Sequence, residues 1–364
     1  MDRPPGAGFE MPIEDLNPLL LPILKKCDLP ALAAAWVTTD GLAALGAVGV
    51  RKFGGRVRVT PHDRFHLGSN TKAMTATLLA TLVEQGSLSW DTTLASALPD
   101  LAADMHQAYR PVTLQQLLAH RAGFPAATWP RGITPRDVFS VLRGPREQRH
   151  AYSRRVLREP PEVPPGARFL YANRSYIVAG AIAERIADAP WEQLMRDRLF
   201  SPLGMASAGF GAMGSPRKVD EPWQHTVAKG KHRPIGPGPR SDNPPFTGPA
   251  GRVHSSLPHW ARFVTAHLRG AQGLPGILQP ATFHKLQSAA TGDYAFGWGA
   301  AHRPWAAGRL LAHAGSNTLS FAVAWMAPLR GFALLVASNQ GGEAAAEGCG
   351  EAARALVQRF VPAS

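Results

Sequence analysis

Residues 65–86 read FHLGSNTKAMTATLLATLVEQG, and the parsing of this stretch decides the rest of the chain. Met74, Leu78, Leu79, Leu82 and Val83 recur three and four apart, which predicts a helix with one apolar stripe. The helix opens at Gly68-Ser69-Asn70 and stops at Gly86, a residue that accepts the left-handed conformation in which many helices end. Ser69 and Lys72 then share one helical face, their Cβ atoms roughly 5–6 Å apart. A serine hydroxyl is a weak nucleophile until a base within hydrogen-bond reach takes its proton. A lysine serves as that base only where burial or neighbouring cations keep it neutral. The plainer alternative makes Ser69 an N-cap and Lys72 an exposed first-turn residue. Ser215-Pro216-Arg217-Lys218 repeats the S-x-x-K pattern with no apolar helix behind it, so the pattern alone proves little.

Outward from this helix, the N-terminal side predicts a helix over 12–29, carried by Ile13, Leu16, Leu20, Ile23 and Leu24. Two strands follow, Ala33–Thr38 and Gly46–Phe53, around a Thr39-Asp40-Gly41 turn. At the other end Leu310–His313, Ser320–Ala327 and Gly331–Ser338 read as strands, and Glu343–Phe360 as a closing helix. The middle is helical and rich in Pro-containing connections. Residues 206–250 lose all apolar periodicity and read as a long surface loop. The expected fold is α/β in the broad α+β sense: an antiparallel sheet flanked by helices and built from both termini (1–67 and 290–364). A mostly helical region, 68–289, is inserted between them.

Composition narrows the function classes. The 364 residues are 45% hydrophobic and 18% charged, an ordinary globular balance. No apolar run approaches the roughly 20 residues of a membrane span. The first 17 residues carry Asp2, Glu10, Glu14 and Asp15 against Arg3, which is no signal peptide. The expectation is a cytoplasmic protein, or a periplasmic or secreted one if a leader has been removed. Cys27 and Cys349 exclude a disulfide framework and a cysteine-rich metal site, and read as two unpaired thiols. The formal charge is +13, with ten arginines between Arg131 and Arg174 against Asp137, Glu147, Glu159 and Glu162. No zinc-finger spacing or RNA-binding signature accompanies them, so a solvated basic face is expected and no nucleic-acid partner.

Two further elements carry polar groups that chemistry uses. Tyr171-Ala172-Asn173 is the one Y-x-N in the chain, set between the Pro164-Pro165-Gly166 turn and an apolar helical run. Such a tyrosine is also at home in a core with its hydroxyl satisfied. His313-Ala314-Gly315-Ser316 ends a predicted strand, with Gly315 permitting close backbone approach. His66-Leu67-Gly68 matches the same H-x-G pattern.

In this order and spacing the three elements resemble the penicillin-recognising serine hydrolases: class C β-lactamases, DD-peptidases and related carboxylesterases. The likeness runs from about Phe65 to Asn339 and includes Leu117-Leu118-Ala119-His120, Pro202-Leu203-Gly204-Met205, Pro249-Ala250-Gly251 and Phe296-Gly297-Trp298-Gly299. It implies Ser69 as nucleophile, Lys72 as its proton partner, Tyr171 as activator of serine and of the deacylating water, and Asn173 as a substrate or Lys72 contact. His313 holds the place of the lysine in K-T-G. The N–H groups of Ser69 and Ser316, with Gly315 between strand and turn, form the implied oxyanion hole. His120 reads as structural. Ala314 stands where a hydroxyl residue commonly meets the carboxylate of a β-lactam or peptide, with Ser316 and Thr318 near enough to compensate. No class A deacylation glutamate is found. The resemblance thus implies an acyl-enzyme hydrolase of small esters or amides, with β-lactamase or DD-peptidase activity as the alternative and no metal or organic cofactor. The rival of another class is a silent binding protein with the same fold. Oligomeric state stays open.

Overall fold

The computed structural model describes residues 13–130, 132, 144–239, 241–289 and 292–362. Its centre is a seven-stranded sheet made from both ends of the chain. From the N-terminal part come β1 (Glu14–Asp15), β2 (Ala31–Thr38) and β3 (Gly41–Gly49). Three short strands, β4 (Phe65–His66), β5 (Gly209–Phe210) and β8 (Val253–Ser255), form a separate small sheet, and β6 (Gln224–Ala228) pairs with β7 (Lys231–Ile235). The C-terminal part adds β9 (Gly299–Arg303), β10 (Gly308–Ser316), β11 (Phe321–Ala327) and β12 (Phe332–Ser338). The large sheet runs β1-β3-β2-β12-β11-β10-β9 and is antiparallel except where β1 lies beside β3.

β2 is apolar at almost every position because both faces of the sheet are covered. Ala31, Ala33, Ala35 and Val37 point to one side, with Ala333 and Leu335, against the helix Leu257–Ala271 and into the core that includes the helix Thr71–Glu84. Leu32, Ala34 and Trp36 point to the other, with Leu334 and Val336, against the first helix, α1 (Asn17–Lys26), and the helix Glu343–Phe360. The period of two along each strand sorts the residues between these two cores.

The C-terminal helix has the expected limits, Glu343–Phe360. Three expectations need correction. The helix expected over 12–29 is confined to Asn17–Lys26, started by Pro18 and stopped where Asp28 turns to positive φ. The hairpin turn is tighter than expected, so β3 resumes at Gly41 and ends at Gly49. Residues 206–250 are not a bare surface loop. They hold β5, the β6–β7 hairpin and the turn Gly248–Gly251, and bury Gln224, His225, Asp242 and Phe246. His225 N donates to Leu319 O at 3.1 Å, stitching this segment to the end of β10. Its strands are short, polar and basic, so they leave no hydrophobic alternation to read.

The basic stretch is also less solvated than expected. Arg131 and residues 133–143 lie outside the described residues. Of the rest, Arg149 and Arg174 are buried. Arg174 donates to Glu159 (2.5 Å) and to the carbonyls of Ala127 (2.7 Å) and Trp129 (2.9 Å). Cys27 and Cys349 are both buried free thiols. Among the described residues no helix is long and apolar enough to cross a membrane.

Candidate active site

The site begins where β4 runs into a single 3-10 turn, Gly68–Asn70, and that turn into the helix Thr71–Glu84, here α2. His66 braces the turn. Its Nδ1 accepts from the Gly68 N–H at 3.1 Å, so its Nε2 donates to the Asp242 carboxylate at 2.7 Å. Burial pushes the Asp242 carboxyl up, but His66 and Arg252 hold it below its ordinary value. Asn70 Nδ2 ties the turn to Leu67 O at 2.8 Å and to Ala322 O of β11 at 3.3 Å. The second H-x-G match is thus a support for the nucleophile turn.

Eleven of the 14 residues of α2 are buried, so it is a central helix, covered well beyond the single apolar stripe read from its sequence. Lys72 in its first turn is fully buried. Its Nζ lies 2.9 Å from Ser69 Oγ, 2.8 Å from Asn173 Oδ1 and 2.7 Å from Ala250 O. Burial drives the amine well below its ordinary value of 10.5. A neutral amine has two N–H donors, which suit the amide and carbonyl oxygens, and one lone pair, which suits the serine proton. The protonated amine donates to the same three atoms. A proton can therefore pass from Ser69 to Lys72 with no change of partners.

Tyr171 and Asn173 enter from the start of the helix Asn173–Ala187. Burial pushes the Tyr171 phenol up to about 12, opposed by the influence of the neighbouring Ser69 hydroxyl. Its ring lies 4.8 Å from Lys72 Nζ. Asn173 accepts from Lys72 and donates to Thr128 Oγ1 at 2.9 Å.

β10 closes the other side. A Cβ on Gly315 would lie 2.1 Å from Leu67 O and 2.6 Å from Ser69 N, and one on Gly68 would lie 2.3 Å from Ser316 N. Glycine at both positions is what lets strand and turn touch, bringing the backbone nitrogens of Ser69 and Ser316 to one spot. The Ser316 hydroxyl donates to Ser320 O at 2.7 Å and accepts from Thr318 N at 2.9 Å. It is committed within its own loop, so it does not compensate for Ala314 as expected. His313 is buried beside Tyr171, ring centroids 6.1 Å apart. Burial and then Lys72 push its imidazole down to about 3, so it is neutral at physiological pH.

A pocket of about 220 Å³ opens over Ser69. Beside Asn173 and Ser316 it is lined by Thr318, which the sequence reading named, and by Thr128, Trp129, Asn243 and Thr247, which it did not single out. Ala250 was also missed as a Lys72 partner. It contributes a main-chain carbonyl, and residue type carries no signal for that. A larger cavity of about 750 Å³ beside Pro258, Arg262 and Ile277 contains no nucleophile–base pair. His120, read from sequence as structural, is buried against Tyr171, Tyr176 and Tyr294, with Nδ1 accepting from Ala172 N at 3.3 Å. The second S-x-x-K is only a surface turn, with Lys218 exposed and its N–H bonded to Ser215 O.

Comparison with known proteins places the chain in a family. The chain is 31% identical over 241 residues to penicillin-binding protein 4 of Amycolatopsis lactamdurans, covering 65% of this chain and 59% of that protein. It is 25% identical over 297 residues to an unguisins hydrolase of Aspergillus campestris, covering 76% and 51%. The chain thus spans about half the length of the curated relatives it matches. Among solved structures, the octameric penicillin-binding protein homologue from Pyrococcus abyssi superposes with a TM-score of 0.75 at 20% identity, over 94% of this chain and 77% of that one. SurE superposes with a TM-score of 0.73 at 22% identity, over 94% and 74%, so both share the fold. The beta-lactamase family model matches residues 17–358, and the chain belongs to that family of serine hydrolases.

Proposed function

We propose that this chain hydrolyses small esters or amides through an acyl-enzyme on Ser69. The observation that carries the reading is the buried Lys72 amine, 2.9 Å from Ser69 Oγ and held by two oxygen acceptors. Ser69 Oγ attacks the substrate carbonyl as its proton passes to Lys72, and the N–H groups of Ser69 and Ser316 take the developing oxyanion. The C–O or C–N bond then breaks, and the leaving alcohol or amine receives a proton through Lys72 and Tyr171. Water, activated by Tyr171 with Lys72, attacks the acyl carbon and restores Ser69. Asn173 holds Lys72 and borders the acyl group. Ala314, and the commitment of the Ser316 hydroxyl, favour substrates without a carboxylate to anchor. The likeness to penicillin-binding protein 4 supports β-lactam or D-alanyl peptide substrates as the second reading.

A panel of short-chain nitrophenyl esters, a chromogenic cephalosporin and D-Ala-D-Ala peptides separates these substrates. A fluorophosphonate probe is expected to modify Ser69, read by peptide mass spectrometry, and Ser69→Ala is expected to abolish ester turnover. Undiminished turnover by Ser69→Ala would sink the assignment. Folded protein that the probe leaves unlabelled would favour a silent binder.

The contact of β10 with the nucleophile turn has its own test. Gly315→Ala is expected to lower kcat/KM about 100-fold or more, because the two oxyanion nitrogens can no longer approach as they do. Near-UV circular dichroism checks that the variant is folded. Wild-type turnover in Gly315→Ala would show that the close approach is unnecessary.

A further inference from the structure

The segment Tyr294–Trp298 reaches the catalytic centre from behind. It is pinned to α2: a Cβ on Gly297, at φ +89, would lie 2.4 Å from the backbone of Ala73, the residue after Lys72. Ala295 N donates to Trp298 O at 2.8 Å and Phe296 N to Leu286 O at 3.1 Å, which closes the turn. Tyr294 is thereby held in the core with its hydroxyl 3.2 Å from His313 Nε2. On the other side of the imidazole, Nδ1 lies 2.8 Å from Ala314 O. A carbonyl oxygen only accepts, so Nδ1 carries the hydrogen, Nε2 is bare, and the Tyr294 hydroxyl is the donor.

Four polar or titratable groups surround this imidazole: Lys72 from α2, Tyr171 at the entry to the helix Asn173–Ala187, His120 and Tyr294; Tyr176 packs against His120. Tyr176 already donates to Leu118 O at 2.9 Å. The Tyr171 hydroxyl is the one that matters to Ser69.

We propose that Tyr294 is a positioning residue of the catalytic centre: by donating to His313 Nε2 it secures, together with Ala314 O on Nδ1, the Nδ1–H tautomer and leaves the Tyr171 hydroxyl to Ser69. This rests on the acyl-enzyme reading for its consequence, but the tautomer is a property of the folded protein. Without the Tyr294 hydroxyl, a bare buried nitrogen stands beside Tyr171 and competes with Ser69 for its proton. His313 is then a spacer with both nitrogens occupied, and no proton is routed through it.

Tyr294→Phe removes that hydroxyl and keeps the ring. Ring nitrogen and carbon NMR shifts of His313, assigned by their loss in His313→Gln, report its tautomer directly. The wild type is expected to show Nδ1–H from about pH 8 to about pH 5. In Tyr294→Phe, His313 is expected to switch to Nε2–H or to titrate within that range. Its kcat is expected to fall about 10- to 100-fold with KM changed less than about threefold, and the acid limb of the kcat/KM profile to move to higher pH. An Nε2–H tautomer in the wild type overturns the proposal without any variant. An unchanged tautomer and an unchanged pH profile in Tyr294→Phe overturn it even if activity drops, since packing alone would then explain the loss. Should wild-type protein neither label at Ser69 nor turn over esters, the hydrolase reading fails while the tautomer result still judges Tyr294.

Discussion

Lys72→Met is expected to lower kcat/KM toward short-chain esters by about 1000-fold or more while leaving the protein folded. The variant removes the base that lies 2.9 Å from Ser69 Oγ, and the Tyr171 phenol does not replace it, because burial holds its own proton up to about 12. Methionine fills the buried channel with a chain of similar length, so packing is kept. Two acceptors, Asn173 Oδ1 and Ala250 O, lose their donor, at about 1–3 kcal/mol each. Against that stands relief from burying an amine. The folded-state pKa of Lys72 is depressed below its unfolded value of 10.5. Between those two values the unfolded chain holds a proton that the folded chain does not, so unfolding takes up a proton and wild-type stability rises with pH. The penalty is largest below the folded value and disappears above 10.5. Lys72→Met lacks it. Thermal unfolding of both proteins across pH should therefore show the variant at its worst relative to wild type near pH 10.5, and gaining on it as pH falls toward the depressed folded value of Lys72. A difference that does not change with pH would mean that Lys72 is protonated in the fold, which removes it as the resting base.

Arg149→Met is expected to destabilise the protein by about 3–5 kcal/mol, a fall in Tm of about 10 °C. Arg149 is fully buried on the helix Pro145–Arg158. It pairs with Glu184, lies 2.7 Å from Glu192 Oε1, and donates to Phe246 O at 3.1 Å, with its guanidinium 5.7 Å from the Trp191 ring centroid. Glu184 is 3% exposed, and burial already pushes its carboxyl up against the pull of Arg149. Removal of the cation leaves that carboxylate without compensation, which is why breaking a buried pair costs more than the pair contributes. Arg149→Met/Glu184→Gln should recover part of the loss, because the uncompensated charge goes with the second substitution. The turn after Phe246 contains Ala250, whose carbonyl holds Lys72. Ester turnover should therefore fall about tenfold below the temperature of unfolding. A Tm within about 1 °C of wild type would show that solvent replaces the arginine.

How much was legible depended on the range of the interaction. The closing helix and the β2, β11 and β12 runs could be read because short-range period and burial agree there. β9, Gly-Ala-Ala-His-Arg, was not, because it has no branched or aromatic residue and forms only by adding to β10. Ten arginines read as one solvated face, yet Arg149 and Arg174 are interior anchors, and Arg174 holds the carbonyls of Ala127 and Trp129 at the pocket wall. Charge does not reveal burial when the compensating carboxylates and carbonyls come from distant segments.

The two S-x-x-K sequences show where the division falls. Sequence alone determined that Ser69 and Lys72 are neighbours, because a spacing of three on a helix brings side chains together whatever surrounds them. It also separated them from Ser215 and Lys218, since only the first pair leads into an apolar helical run. Tertiary structure decided that Lys72 is dry. The Ala250 carbonyl, the Asn173 amide and the Tyr171 ring come from two segments about 100 and 180 residues away, and together they exclude water from one amine. Desolvation is a property of everything that packs around a group. Four consecutive residues cannot encode it, and it is what makes a lysine able to accept a serine proton.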